Sequence, residues 1–341
     1  MNRVFAYIIV SVFVLAACDS QTALQPDRPV AKQHLENKTA VSPAVIAEAQ
    51  SSLDLKLSTE VTAPTFGDAG DINVFLAALN TEFAAAGMNI AVDKAEFVTD
   101  LDSAEPGQTV FANDRTKQLT SKWVPNDARR NADGENVTYV NFLPLSLANG
   151  AINSDPIIDA SFATFNNVTC SALPIVKRQD DGTFPSAIFA GGDPFVADIV
   201  ELGFIPGVFF DLVLGPGASN NVLGVTFTFI FGSFDAEGNF TPSDVDSNGR
   251  TDTALKEVWY NDSFLWTDTG SGGVDIETVA LHENGHALEM GHFGKVFVTG
   301  NGKLHVSPRA VMNAFILGTQ RELLGTDNAS HCSNFASWPN S

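Results

Sequence analysis

Apolar residues fall into a few patterned runs, and each run fixes an element by its period. Ile72, Phe75, Leu76, Leu79 and Phe83 recur at helical spacing between Asp71, which can cap, and Gly87, which stops. They predict a helix over 71–87. Residues 137–143 alternate as a strand. Asp155–Asn166 reads as a second helix, with Pro156 in its first turn and Ile158, Ala160, Phe162 and Phe165 as its buried face. Residues 222–231 form a strand in which Leu223, Val225, Phe227, Phe229 and Phe231 share one face, with Thr226 and Thr228 on the other. Asp275 caps a further helix, along which Ile276, Val279, Ala280, Ala287 and Leu288 keep helical apolar spacing. Helices and strands interleaved in this way predict one α/β domain, of α+β type, over 119–341. Residues 63–118 are expected to form a small N-terminal subdomain or a propeptide, and 44–50 a short helix.

Two stretches are not patterned for a core. Residues 18–62, rich in Gln, Pro, Lys, Ser, Thr and Ala, read as a flexible tether. Ahead of them, Arg3 and the apolar run 4–17 have the layout of a signal peptide over 1–17. The run is shorter than the roughly 20 residues a spanning helix needs. It ends Leu15-Ala16-Ala17-Cys18, which resembles the lipobox of bacterial lipoproteins. That resemblance implies cleavage before Cys18 and acylation of its sulfur. The chain would then be lipid-anchored in the bacterial cell envelope, on the periplasmic side or at the cell surface, or released from it. The alternative is an ordinary secretory peptide with an incidental Cys.

Composition changes this picture at three points. The chain has three Cys; if Cys18 carries lipid, Cys170 and Cys332 remain as a pair in an oxidising compartment. A disulfide between them is expected, with two buried thiols as the alternative. Lys plus Arg number 19 against 40 Asp plus Glu, a net charge of −21, which repels phosphate backbones and excludes nucleic acid as a partner. The acidity serves solubility, or part of it gathers around calcium. Phe outnumbers Tyr 26 to 3 and clusters in the strands, which points to core packing rather than to recognition.

Three of the six His lie within eleven residues: His282, His286 and His292. Positions four apart on a helix stand one above the other, so His282 and His286 present ring nitrogens to a common point. Glu283 turns toward the neighbouring water position. Gly291 lets the chain leave the helix, so that His292 can return as a third ligand. Three protein ligands leave a fourth position open, the mark of a catalytic rather than a structural zinc.

These residues resemble the metzincin zinc peptidases, bacterial matrixin-like enzymes in particular, whose pattern is H-E-x-x-H-x-x-G-x-x-H followed by a Met-turn. Ser307-Pro-Arg-Ala-Val-Met-Asn-Ala314 is similar to that turn. The resemblance implies a zincin fold with a mixed twisted sheet, an active-site helix and a Met-turn. It implies zinc on His282, His286 and His292, with Met312 beneath the ion. It also implies hydrolysis of peptide bonds by zinc-activated water, with Glu283 as general base. An extended peptide would pair with an edge strand, and 222–231 is either that strand or a central one. Three positions depart from the pattern. Glu289 stands where the family has a turn-making Gly, at a cost of roughly 1 kcal/mol unless Gly291 takes over the turn. Phe293 replaces the Ser of animal matrixins, and Ala314 the zinc-binding Tyr of astacin- and serralysin-like enzymes. No Cys lies in 63–118, which excludes a cysteine-switch latency like that of animal matrixins.

A second candidate metal site is Asp244-x-Asp246-x-Asn248-Gly249-Arg250-x-Asp252, the first nine positions of an EF-hand-like calcium loop, with the Arg250 carbonyl as a ligand. Its twelfth position is Leu255, so closure would need Glu257 to reach back. The alternative is an Asx-rich surface turn. The expected function is therefore a zinc-dependent endopeptidase, monomeric, acting on protein or peptide, with calcium as a second candidate ion. A catalytically inactive zinc-containing module that binds peptide or matrix is the rival.

Overall fold

The computed structural model describes residues 72–100, 118–130, 134–142, 152–180, 182, 185–189, 194–298 and 304–340. The signal peptide, Cys18, the tether, the 44–50 helix and the Asp71 cap lie outside the described residues.

Helix α1 (Ile72–Ala85) is followed, after Gly87 at φ 66°, by strand β1 (Ile90–Asp100). Next come β2 (Ser121–Lys122), β3 (Val137–Asn141), α2 (Asp155–Asn166), β4 (Ile175–Lys177), β5 (Ile199–Ile205) and α3 (Gly207–Leu214). Then follow β6 (Val222–Phe234), β7 (Phe240–Pro242), β8 (Thr251–Asn261), β9 (Trp266–Thr267), β10 (Val274–Asp275) and α4 (Ile276–Ala287). Strands β11 (Lys295–Val298), β12 (Leu304–Ser307) and β13 (Phe315–Ile316) precede α5 (Gly325–Phe335).

One nine-stranded mixed sheet organises these elements, in the order β13-β1-β6-β8-β5-β3-β4, with β2 on β8 and β7 on β6. Strands β4, β3, β5 and β8 run parallel, β6 runs antiparallel to β8, and β1 runs antiparallel to β6. The expected mixed α+β architecture is therefore present. Each sheet face carries its own core. On one side Ile158, Phe162 and Phe165 of α2 pack with Ile276, Val279 and Ala280 of α4 and Phe335 of α5. On the other, Leu76 and Phe83 of α1 and Phe210 and Val213 of α3 cover Val225, Phe227 and Phe229. Helix α1 and strand β1, from the segment read as a subdomain or propeptide, thus join the same compact unit as the rest, Asp68–Ser341.

Strand β6 answers the edge-or-centre alternative: it is central, flanked by β1 and β8. It also corrects one expectation. Leu223 does not share the face of Val225; it belongs to the α4 side, whereas Val222 and Val225 belong to the α1 side. The register against β1 shifts there, between Val98 opposite Gly224 and Thr99 opposite Val222. A single inserted residue reverses every side chain beyond it. Cys170, just past α2, is bonded to Cys332 in α5, with Cα atoms 5.6 Å apart.

Candidate metal centre

Helix α4 is where the sequence reading and the structure meet most closely. The Asp275 side chain accepts from the Thr278 amide at 3.0 Å, capping the first turn. From Thr278 to Ala287 every residue is buried. The helix is enclosed by the sheet above and α2 beside it, and Asn284 is tied to Ser161 of α2 at 2.6 Å.

The three histidines converge. Their Nε2 atoms form a near-equilateral triangle with sides of 3.0, 3.1 and 3.1 Å. The opposite nitrogens of two rings are held by backbone carbonyls: His282 Nδ1 by Val311 O at 2.7 Å and His286 Nδ1 by Met290 O at 2.8 Å. A carbonyl can only accept, so each of these Nδ1 atoms donates, and a lone pair is left on Nε2. Burial depresses the pKa of His282 to about 4 and those of His286 and His292 well below the usual value, so the rings are neutral. Lone pairs facing one another at this distance repel unless a cation lies among them. The spacing would let all three Nε2 atoms reach one ion at zinc–nitrogen distances of about 2.0–2.1 Å. The residues fit zinc, and the carbonyl partners are the outer-shell bonds such a site requires.

His292 reaches this point because the chain turns at Glu289, whose φ is 64°; Gly291 does not take the turn over. The strain of roughly 1 kcal/mol is offset by what the Glu289 carboxylate touches. Buried completely, it accepts from Ser121 Oγ at 2.8 Å, from Thr253 Oγ1, and from Lys256 Nζ at 3.2 Å. A glycine supplies the turn but not these bonds. No local signal in the sequence marks Ser121, Thr253 or Lys256 as partners, since they lie on β2 and β8.

Glu283 faces the sheet beneath β6 and β1. Its Oε2 accepts from Thr226 Oγ1 at 2.7 Å, and the Val98 amide of β1 approaches the same carboxylate. Gly224 makes room for it: a Cβ there would come within 2.8 Å of the Glu283 Cγ. Burial raises its pKa well above the usual carboxyl range, reinforced by the Glu201 and Glu96 charges. Thr226 was visible only as a polar position on the strand.

Met312 lies under α4, its sulfur 2.3 Å from where a Cβ on Gly285 would stand, so Gly285 is required by this contact. The turn around Met312 is held from both sides. Asp327 at the start of α5 accepts from the amides of Val311 at 2.9 Å and Met312 at 3.2 Å. Asn313 Nδ2 donates to Phe293 O at 2.6 Å, and the Phe293 amide to Met312 O at 2.7 Å. The turn thus links Asp327, through Val311, to His282, a role its sequence position does not announce.

The acidic loop places carboxylate oxygens of Asp244, Asp246 and Asp252 within 4.8 Å of one another. Asp244 accepts from the amides of Asn248 and Gly249, and Asp246 from Asn248 Nδ2. The Arg250 amide donates to Asn248. Asp252 is buried and paired with Arg129 at 2.7 Å. Glu257 does not reach back: it lies in the sheet, bonded by Ser186, the Ala187 amide and Trp259.

No family model matches the chain, and no curated protein matches it either. The metzincin likeness rests on the motif residues themselves. No helix among the described residues is long and apolar enough to cross a membrane.

Proposed function

We propose that the chain is a zinc-dependent endopeptidase, exported and anchored through Cys18. One observation carries the reading: three neutral imidazoles aim Nε2 at a common point, and in His282 and His286 an Nδ1 fixed on a carbonyl turns the Nε2 lone pair inward. Zinc held there by His282, His286 and His292 would supply Lewis acidity and a water acidified to a pKa near 7. Glu283 accepts the water proton on its carboxylate and passes it to the leaving amine. Thr226 fixes that carboxylate through Oε2, and Met312 and Asp327 hold the floor and the His282 ring in place.

The rival reading, a zinc-bound module that binds peptide without cutting it, is favoured by a different observation. Glu283, His282 and His286 are 0 % exposed and His292 3 %. Purified protein separates the two readings. The peptidase releases fragments from a proteome-derived peptide library, loses that activity to a chelator and regains it with zinc. The module holds zinc stoichiometrically and releases none.

A further inference from the structure

We infer that Lys256 is a positioning residue of the metal centre. Paired with Glu289 inside the sheet, it holds the left-handed turn that seats His286 and returns His292 to the other two histidines. That role presupposes the zinc proposed above, whereas the contacts of the turn stand without it.

The turn at Glu289 and Met290 serves two of the three ligands. Met290 O accepts from His286 Nδ1 at 2.8 Å, and the chain runs on through Gly291 to His292. Two bonds close the turn onto α4: the Glu289 amide donates to His286 O at 3.0 Å and the Met290 amide to Gly285 O at 2.9 Å. On the outer side Glu289 O accepts from the Leu119 amide and from Asn334 Nδ2 of α5, each at 3.0 Å. All of these engage the backbone of the turn, so none requires a particular side chain at 289. A glycine would hold φ 64° by its own freedom; a residue with a Cβ is crowded there and needs something further to keep it in place.

Lys256 supplies it. The side chain is fully buried on β8, and the backbone is fixed, its amide donating to Asp198 O at 2.8 Å. Its Nζ donates to Thr228 Oγ1 of β6 at 2.9 Å and to Glu289 Oε2 at 3.2 Å. The threonine is neutral, so of these two acceptors only Glu289 brings counter-charge. Ser121 and Thr253 likewise give the Glu289 carboxylate hydrogen bonds but no charge, and Lys256 is its ion-pair partner. Burial makes each charge depend on the other, because removing one leaves its partner uncompensated in the interior. Without Lys256 the carboxylate is drawn out of the sheet, and the left-handed conformation at 289 loses what opposes its strain. Lys256 and Glu289 thus do together what a glycine at this position does alone.

The test reads zinc affinity, by competition with a chromophoric chelator, in four versions of the full chain. These are the parent, Lys256→Met, Lys256→Met/Glu289→Gly and Lys256→Met/Glu289→Ala, each shown to be folded by circular dichroism. Methionine keeps much of the lysine's length without its charge. Lys256→Met should bind zinc at least about tenfold more weakly than the parent, the loss expected when an outer-shell contact is removed. Adding Glu289→Gly should restore near-parental affinity, although glycine makes none of the carboxylate's bonds. Adding Glu289→Ala should leave the affinity low. If the pair serves stability alone, affinity follows urea resistance and the two double variants bind alike. Parental affinity in Lys256→Met, or a glycine double variant no tighter than the alanine one, overturns the inference. Where Lys256→Met does not fold, the two double variants, which carry neither charge, decide. A parent that takes up no zinc sinks the proposed function, and hydrogen exchange of the Met290 amide then decides about Lys256. Faster exchange in Lys256→Met than in the parent upholds its hold on the turn, and equal protection overturns it.

Discussion

The histidine cluster and the acidic loop each gather three metal-ligating groups within 4.8 Å, yet they spend their hydrogen bonds in opposite ways. At the histidines, partners take up the outer nitrogens of His282 and His286 and leave Nε2 to the centre. At the loop, the carboxylates serve the loop's own amides, the Asn248 side chain and Arg129. One cluster is buried and held by the turn around Met312 and by α4, whereas the other lies largely at the surface and closes on itself. A constellation of ligand types is informative when its neighbours leave donor atoms with nothing else to do.

The sharpest way to break this contrast is to remove one ligand from each cluster. His286→Ala should lose stoichiometric zinc and all peptidase activity. It should also lose the zinc-linked part of its stability, about 4 kcal/mol where free zinc stood near 1,000 times Kd. Asp246→Ala should leave zinc content, read by atomic absorption, unchanged. If His286→Ala keeps its zinc, the triangle is not the metal site.

Glu283→Gln separates holding the ion from using it. The amide preserves shape and can still accept from Thr226, but it takes no proton at neutral pH. Zinc content and Tm should stay near parental while the rate falls by a factor of about 10²–10⁴. Full activity in this variant would remove Glu283 from the mechanism.

The two regions also differ in how far they could be read from sequence. Helix α4, its Asp275 cap and the His282–His286 spacing were legible because each depends on neighbours within one or two turns. The bounds of α2 were legible for the same reason. The burial of β8 was not: Lys256 and Glu257 look like surface positions, and only Glu289, Ser186 and Trp259, placed by tertiary pairing, explain them. Nor was the place of β1 beside β6, since strand partners distant in sequence leave no local mark. The face of Leu223 turned on one shifted residue.

Glu289 lies where local and distant information conflict. Local chemistry favours Gly at φ 64°, while the buried Lys256 favours a carboxylate. Glu289→Gly should relieve about 1 kcal/mol of strain but leave the Lys256 ammonium without its counter-charge, a loss of roughly 3–5 kcal/mol. The net outcome is a destabilisation of about 2–4 kcal/mol by urea unfolding, with Glu289→Gln falling between the two. A glycine variant more stable than the parent would mean the pair is dispensable.

The smallest effect belongs to the acidic loop. Asp244, Asp246 and Asn248 supply oxygens at alternate positions, but Leu255 gives no closing bidentate group and Asp252 is already engaged by Arg129. Such a loop resembles weak extracellular calcium modules, with Kd of about 10⁻⁴–10⁻³ M. At 1 mM calcium the linked stabilisation is then about 0.4–1.4 kcal/mol, or about 1–5 °C in Tm for a domain of this size. Asp246→Ala should abolish that shift without touching zinc. Arg129→Ala should enlarge it, because Asp252 is then free to turn to the ion, even though losing the ion pair lowers Tm in the absence of calcium. Thermal scans of the three proteins with and without calcium, zinc held constant, give the answer. A shift that survives in Asp246→Ala arises at another place on the acidic surface. No shift in the parent leaves the loop as an Asx turn whose carboxylates are fully used by their own backbone.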